Sequence, residues 1–181
     1  MAEGIVGKGG RAEFLALDVT REDEWRKTVD AIVDRHGGLD VLVNNAGIAI
    51  VRNLLETSLA DWRRLHAVNL ESVFLGTRTA VDVMRPGGRS GRGGSIINLS
   101  SVGGIIGSEG LSAYCSTKGA VRLFSKAVAI ECGRTHWGIR VNTVCPAAPR
   151  TTNWSGGLTN RADRAVGPMA MELGTYADEA A

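Results

Sequence analysis

Four short apolar runs, each followed by an abrupt change to polar residues, constrain this chain more than any other feature: AEFLALDV (12–19), LDVLVNNAG (39–47), SIINLSS (95–101) and IRVNTVCP (139–146). A strand solvated on one face alternates apolar with polar residues. These runs are closer to continuous, as expected of strands in a parallel sheet covered on both faces. Segments of helical period lie between them. The stretch TREDEWRKTVDAIVDRHGG places Thr20 and Asp23 at capping-box spacing, carries Trp25, Val29, Ile32 and Val33 as an apolar stripe, and stops at Gly37 and Gly38. Ser58 and Asp61 repeat that spacing before a second helix, which runs with Trp62, Leu65, Val68, Val73, Phe74 and Val81 to about Met84. A third helix is expected over 112–134. RPGGRSGRGG (85–94) is loop by composition, and beyond Pro146 the pattern dissolves into Gly, Pro and Ala. Strands alternating with helices predict an α/β fold with a parallel sheet.

Composition removes several function classes. The net charge is +2, with Lys and Arg scattered along the chain, so neither nucleic acid nor a membrane surface is an expected partner. No apolar run approaches the ~18 residues of a membrane-spanning helix. The stretch MAEGIVGKGGRAEF has no apolar core of a secretory signal, and the expected compartment is the cytoplasm. Cys115, Cys132 and Cys145 are odd in number and lie in apolar surroundings, which predicts reduced thiols; no spacing suggests a metal site.

Ligands of parallel α/β sheets bind outside the carboxyl ends of the strands. The polar residues there are Asp18, Asn44 and Asn45, Ser100 and Ser101, and the segment from Pro146 onward. Each alone reads as a turn-former or local cap; four polar exits at one sheet edge point to a shared site. Tyr114 and Lys118 stand four residues apart in the helix that begins just after the third exit, hence on one helical face. Taken alone, such a pair is a tyrosine at the rim of a core with a lysine stem lying alongside.

LDVT (17–20), NNAG (44–47), AVNL (67–70), INLSS (97–101), AYCSTK (113–118) and IRVNTVCP (139–146) occur in one order, and Ser101 precedes Tyr114 by thirteen residues. In these blocks the chain resembles the short-chain dehydrogenase/reductase family over most of residues 12–151. The resemblance implies a Rossmann-like doubly wound parallel sheet and hydride transfer between NAD or NADP and a small-molecule alcohol or carbonyl substrate. It implies that Tyr114 is the general acid/base and that Ser101 orients the substrate oxygen. Asn69 would anchor a proton-relaying water. Lys118 would donate to the nicotinamide ribose and, as a nearby ammonium, lower the phenol pKa toward working pH. Asp18 and Val19 would meet the adenine, Asn45, Ala46 and Gly47 would line the adenosine ribose, and Thr151 would touch the carboxamide or phosphate side. The position of Pro149 usually supplies a backbone N–H to the carboxamide, which proline lacks, and Ala147 stands where the family has glycine.

The resemblance also implies departures. The family begins with a strand, a Gly-rich turn and a helix whose N-terminus receives the pyrophosphate. Here GIVGKGGRAEF precedes the first apolar run and reads as the tail of a helix. The expected sheet is therefore incomplete, lacking the family's first two strands and its last. A single domain is expected over 1–181, with 147–181 forming a substrate lid and an irregular C-terminal segment. Two readings follow: an NAD(P)-dependent oxidoreductase whose sequence is part of a longer working polypeptide, or a truncated, non-catalytic member that oligomerises or binds. The helices at 59–84 and 112–134 carry Phe74, Val81, Val121, Leu123, Phe124 and Val128 on more than one face. A second apolar face must be covered, and the family resemblance implies a homodimer or homotetramer through a four-helix interface.

Overall fold

Three of the four apolar runs pair. In the computed structural model, which describes residues 2–147, β1 (Val41–Asn44), β2 (Gly94–Leu99) and β3 (Ile139–Val144) form a parallel sheet in the order β1-β2-β3. Ile96 of β2 stands opposite Leu42 on one side and Val141 on the other. Side chains alternate across a strand, so Leu42, Asn44, Ile96, Asn98, Ile139 and Val141 share one face. Against that face lie α2 (Glu22–His36), α4 (Ser72–Met84) and α5 (Ser112–Arg134). Ala80 and Met84 of α4 meet Ile96, Cys132, Ile139 and Val141 in one cluster. Trp25, Val29 and Val33 of α2 meet Val83 of α4 in a second, and Leu42 touches both. Among the described residues the opposite sheet face carries no helix, and Val41 and Val43 are 55% and 44% exposed. Cover on both faces is thus realised on one.

The run 12–19 does not form the expected strand. A strand exists only through its ladder, and residues 11–18 pair with no neighbour. Instead Leu17 and Val19 pack against the α2 cluster while Phe14 stays 80% exposed. A short helix, α1 (Ala2–Val6), precedes this run, as its reading as a helix tail suggested.

Helix starts divide between expectation and correction. Thr20 does not cap α2: its hydroxyl donates to Asp18 Oδ1 (2.7 Å), and Arg21 holds the cap position without a side-chain bond. Gly37, at φ +77°, ends α2 with its N–H on Val33 O (2.8 Å). Ser58 does cap α3 (Leu59–His66), accepting from Asp61 N at 3.0 Å while donating to Asp61 Oδ2 at 2.8 Å. The expected continuous helix over 59–84 is interrupted. Between α3 and α4, residues Ala67–Glu71 form one wide turn in which the Ser72 N–H reaches Ala67 O, five residues back.

Candidate active site

The wide turn exists around Asn69. This side chain is fully buried (0% exposed). Its Nδ2 donates to Ile48 O (2.9 Å) and Thr117 Oγ1 (3.2 Å), and its Oδ1 accepts from Ile48 N (2.8 Å). A buried amide without partners costs about 1–3 kcal/mol; here both N–H protons are spent on protein. Asn69 therefore fastens the chain leaving β1 to the first turns of α5. Thr117, also fully buried, completes the tie by donating to Tyr114 O (2.7 Å).

Ser101, Tyr114 and Lys118 converge at the carboxyl edge of the sheet. Ser101 caps the turn Val102–Gly104 by accepting from Gly103 N (3.1 Å), and its hydroxyl stands near enough to the Tyr114 phenol to favour the phenolate. A Cβ on Gly103 would be in ordinary contact with Tyr114 Cε1 (3.4 Å) and Ser101 Oγ (3.6 Å), with Cys115 Sγ nearest at 3.3 Å. Burial raises the Tyr114 pKa above its ordinary value, with the Ser101 hydroxyl opposing it. The expected lowering by lysine does not set the direction: Lys118 Nζ lies 5.8 Å from the ring centroid, and burial, with Cys115 alongside, raises the phenol pKa.

Lys118 is 5% exposed, and burial brings its pKa down to about 8. Its Nζ donates to Leu99 O (2.8 Å), where β2 ends. Ser100, buried beside it, donates to Lys118 O (2.7 Å) and pins the helix to the strand end. An ammonium has three donors, and Leu99 O is the one acceptor this group reaches among the described residues. At Gly47 a Cβ would stand 3.4 Å from both Lys118 Nζ and Asn69 Oδ1. A buried cation with donor capacity left, beside a backbone stripped of side chain, fits the hydroxyl-rich ribose of a dinucleotide.

The other sequence-predicted residues scatter. Asn45, Ala46 and Gly47 follow β1 and are half-buried at the same edge. Asp18 and Val19 end the run that leads into α2. Asp18 is exposed with its pKa lowered by the Thr20 hydroxyl and backbone N–H, and Val19 O accepts from Trp25 Nε1 (2.9 Å). Pro149 and Thr151 lie outside the described residues, as do all but the first residue of the lid expected at 147–181. Asn44, grouped by sequence with the ligand edge, turns inward instead. Its Nδ2 donates to Asn98 Oδ1 (2.8 Å) and Thr77 Oγ1 (3.2 Å), and Asn98 passes the chain to Ser125 Oγ (2.9 Å). Sequence reasoning missed Thr117 and Asn98. The signal for Asn98 was its parity with Ile96, which puts it on the helix-covered face.

A parallel α/β sheet with a serine, a tyrosine and a buried lysine at its carboxyl edge defines an incomplete Rossmann-like domain. The chain belongs to the short-chain dehydrogenase/reductase family, whose model, described as short chain dehydrogenase, matches residues 1–161. It is 44% identical over 144 residues to the cyclopentanol dehydrogenase of Comamonas sp., which covers 80% of this chain and 55% of that protein. With the NADP-dependent (R)-specific alcohol dehydrogenase of Lentilactobacillus kefiri it shares 41% identity over 138 residues, 76% of this chain and 54% of the relative. Among solved structures, a short-chain type dehydrogenase/reductase from Mycobacterium marinum matches with a TM-score of 0.75 at 37% identity, over 80% of this chain and 57% of that one. The chain spans little more than half the length of these relatives.

Proposed function

We propose that this chain carries the acid/base site of an NAD(P)-dependent oxidoreductase that interconverts a secondary alcohol and its ketone. The observation that carries the reading is the convergence at one strand edge of Ser101, Tyr114 and the buried Lys118, whose Nζ lies 5.8 Å from the Tyr114 ring and donates to Leu99 O. A bound nicotinamide supplies or accepts the hydride. Tyr114 gives its phenolic proton to the carbonyl oxygen in reduction and takes the alcohol proton in oxidation. The raised phenol pKa keeps that proton in place at neutral pH, and Ser101 hydrogen-bonds the same substrate oxygen. Lys118 holds the nicotinamide ribose. Asn45, Ala46 and Gly47 line the adenosine ribose, Asp18 and Val19 meet the adenine, and Pro149 and Thr151 belong to the carboxamide side. Asn69 and Thr117 act through position, keeping the NNAG segment in register with α5. The Lentilactobacillus relative is named for NADP; for this chain either NAD or NADP satisfies the residues described.

The test is Tyr114→Phe. It removes the proton and leaves the ring, so turnover should fall by about 100-fold or more while titration of nicotinamide fluorescence shows the cofactor still bound. Ordinary turnover in Tyr114→Phe refutes the assignment.

The proposal includes self-association in the cytoplasm. Phe74, Leu123 and Ile130 on α4 and α5 are 43%, 69% and 57% exposed, whereas Val121 is buried and Val81 and Val128 pack on the core. A second copy would cover the exposed set; sedimentation of a well-folded monomer at micromolar concentration contradicts this. The three cysteines are free, which supports a reducing compartment, and no helix among the described residues is long and apolar enough to cross a membrane.

A further inference from the structure

Two loops flank the Ser101–Tyr114 pair. The first, residues 45–57, is held to the site at one end by the bonds between Asn69 and Ile48, and farther on by Arg52 N donating to Gly110 O (2.8 Å). The second, residues 101–111, begins at Ser101 itself. It passes Gly103 beside the Tyr114 ring, where a Cβ would lie 3.4 Å from Tyr114 Cε1, and it brings Ile106 O within 4.0 Å of Cys115 Sγ. Large apolar side chains crowd both loops and remain open: Val51 (49%), Leu54 (72%) and Leu55 (98%) on the first, Val102 (36%), Ile105 (55%) and Ile106 (59%) on the second. Single exposed hydrophobes need no explanation, but six on two loops that are tied to each other and flank one reactive pair point to a binding surface.

The charges on these loops point the same way. The titratable groups are Arg52, Glu56 and Glu109, besides Cys115 at the start of α5 and Asp61 on α3. Arg52 Nε lies 3.4 Å from Asp61 Oδ2, which neutralises the one cation. Glu56 and Glu109 are exposed and repel an anion. Thr57 spends its hydroxyl on Asn53 O (2.9 Å) and Ser58 on Asp61, so that of the uncharged polar side chains on the two loops Asn53 and Ser108 remain exposed beside six large apolar ones.

We infer that the two loops select an uncharged, predominantly apolar secondary alcohol, or the matching ketone, whose hydrocarbon part lies across Val51, Val102, Ile105 and Ile106. This rests on the oxidoreductase reading above. The step itself is unchanged: the alcohol carbon would give a hydride to the oxidised nicotinamide, and its hydroxyl proton passes to Tyr114 in its phenolate form, which leaves the ketone and a neutral phenol.

The experiment measures kcat/KM for the full chain with NAD and with NADP on a homologous series of secondary alkanols, cyclohexanol, lactate and glycerol. Burying one methylene is equivalent to about fourfold in rate. The expected result is a rise of two- to fourfold per added carbon over the first few members, with lactate and glycerol at least about 100-fold below the alkanol of equal carbon number. Ile106→Ser should flatten the slope. Turnover without the slope, or with lactate or glycerol as good a substrate as the alkanols, overturns the apolar class and leaves the oxidoreductase reading standing. Turnover of no alcohol with either cofactor overturns both.

Discussion

Gly76 of α4 sits where three elements meet, and its replacement by alanine has a cost that can be worked from the contacts. A Cβ at this position would lie 2.4 Å from Asn44 Oδ1 and 2.7 and 2.9 Å from Trp25 Cη2 and Cζ2. Neither neighbour can give way freely. Trp25 is 6% exposed, packed among Val29, Val33 and Val83, and tethered through Nε1 to Val19 O. Asn44 is tethered to Asn98 and Thr77. Overpacking costs about 1–3 kcal/mol, and freeing a buried amide from its partners costs about 1–3 kcal/mol more. Alanine returns about 1 kcal/mol as the better helix former. The net expectation is a loss of about 3 kcal/mol, which at a slope of about 2 kcal/mol per molar urea lowers the unfolding midpoint by about 1.5 M. Gly133→Ala is the internal control. A Cβ there meets nothing within 4 Å, so it should hold or raise the midpoint by up to about 0.5 M through propensity alone. A Gly76→Ala midpoint equal to or above that of the unmodified chain refutes the reasoning, because it would mean that Trp25 and Asn44 are not fixed.

Helix capping gives a second contrast. Ser58→Ala should cost about 1 kcal/mol in thermal unfolding, whereas Thr20→Ala, whose hydroxyl serves Asp18 and not α2, should stay within about 0.5 kcal/mol; equal losses would contradict the cap assignments. Lys118 predicts a pH dependence. Burial lowers its pKa from the ordinary 10.5 to about 8, so between these values the unfolded chain binds the proton more than the folded one, and the stability contributed by this residue rises with pH across that window. Denaturation midpoints of the unmodified chain and Lys118→Met, compared at pH about 8 and about 10, should show this rise only with lysine present.

The segments that became β1, β2, β3, α2 and α5 were legible because the information is local. Continuous apolar runs, a stripe of period about 3.6 and a terminal glycine mark them within a few residues. What escaped depends on partners. The run 12–19 is as apolar as the others, yet composition cannot say whether a neighbouring strand completes its ladder. The Tyr114–Lys118 edge was legible from helical spacing, but the direction of the Tyr114 pKa was not. It depends on how much water the fold removes, and burial outweighs the nearby Ser101 hydroxyl. Asn44 and Asn45 looked equivalent at a strand exit; one residue of pleat sends Asn44 into the core and leaves Asn45 at the edge. Asn69 was marked by its block, but its bonds to Ile48 and Thr117 join residues twenty-one and forty-eight positions away, beyond any periodicity.

The wide turn at Ala67–Glu71 also sets the rotational phase of everything beyond it. Each residue advances a regular helix by about 100°, so a turn that holds an extra residue displaces the azimuth of α4 relative to α3 by roughly that angle. On a regular wheel Ala80 would stand about 60° to one side of Leu65, and the extra residue brings it to about 40° on the other. With the offset, α3 keeps Leu65 buried while α4 aims Val73, Gly76, Thr77, Ala80 and Met84 at the sheet and α2. The turn acts as a gear between two meshing surfaces. Removing one residue from it would leave two good helices whose apolar faces no longer point toward their partners at the same time.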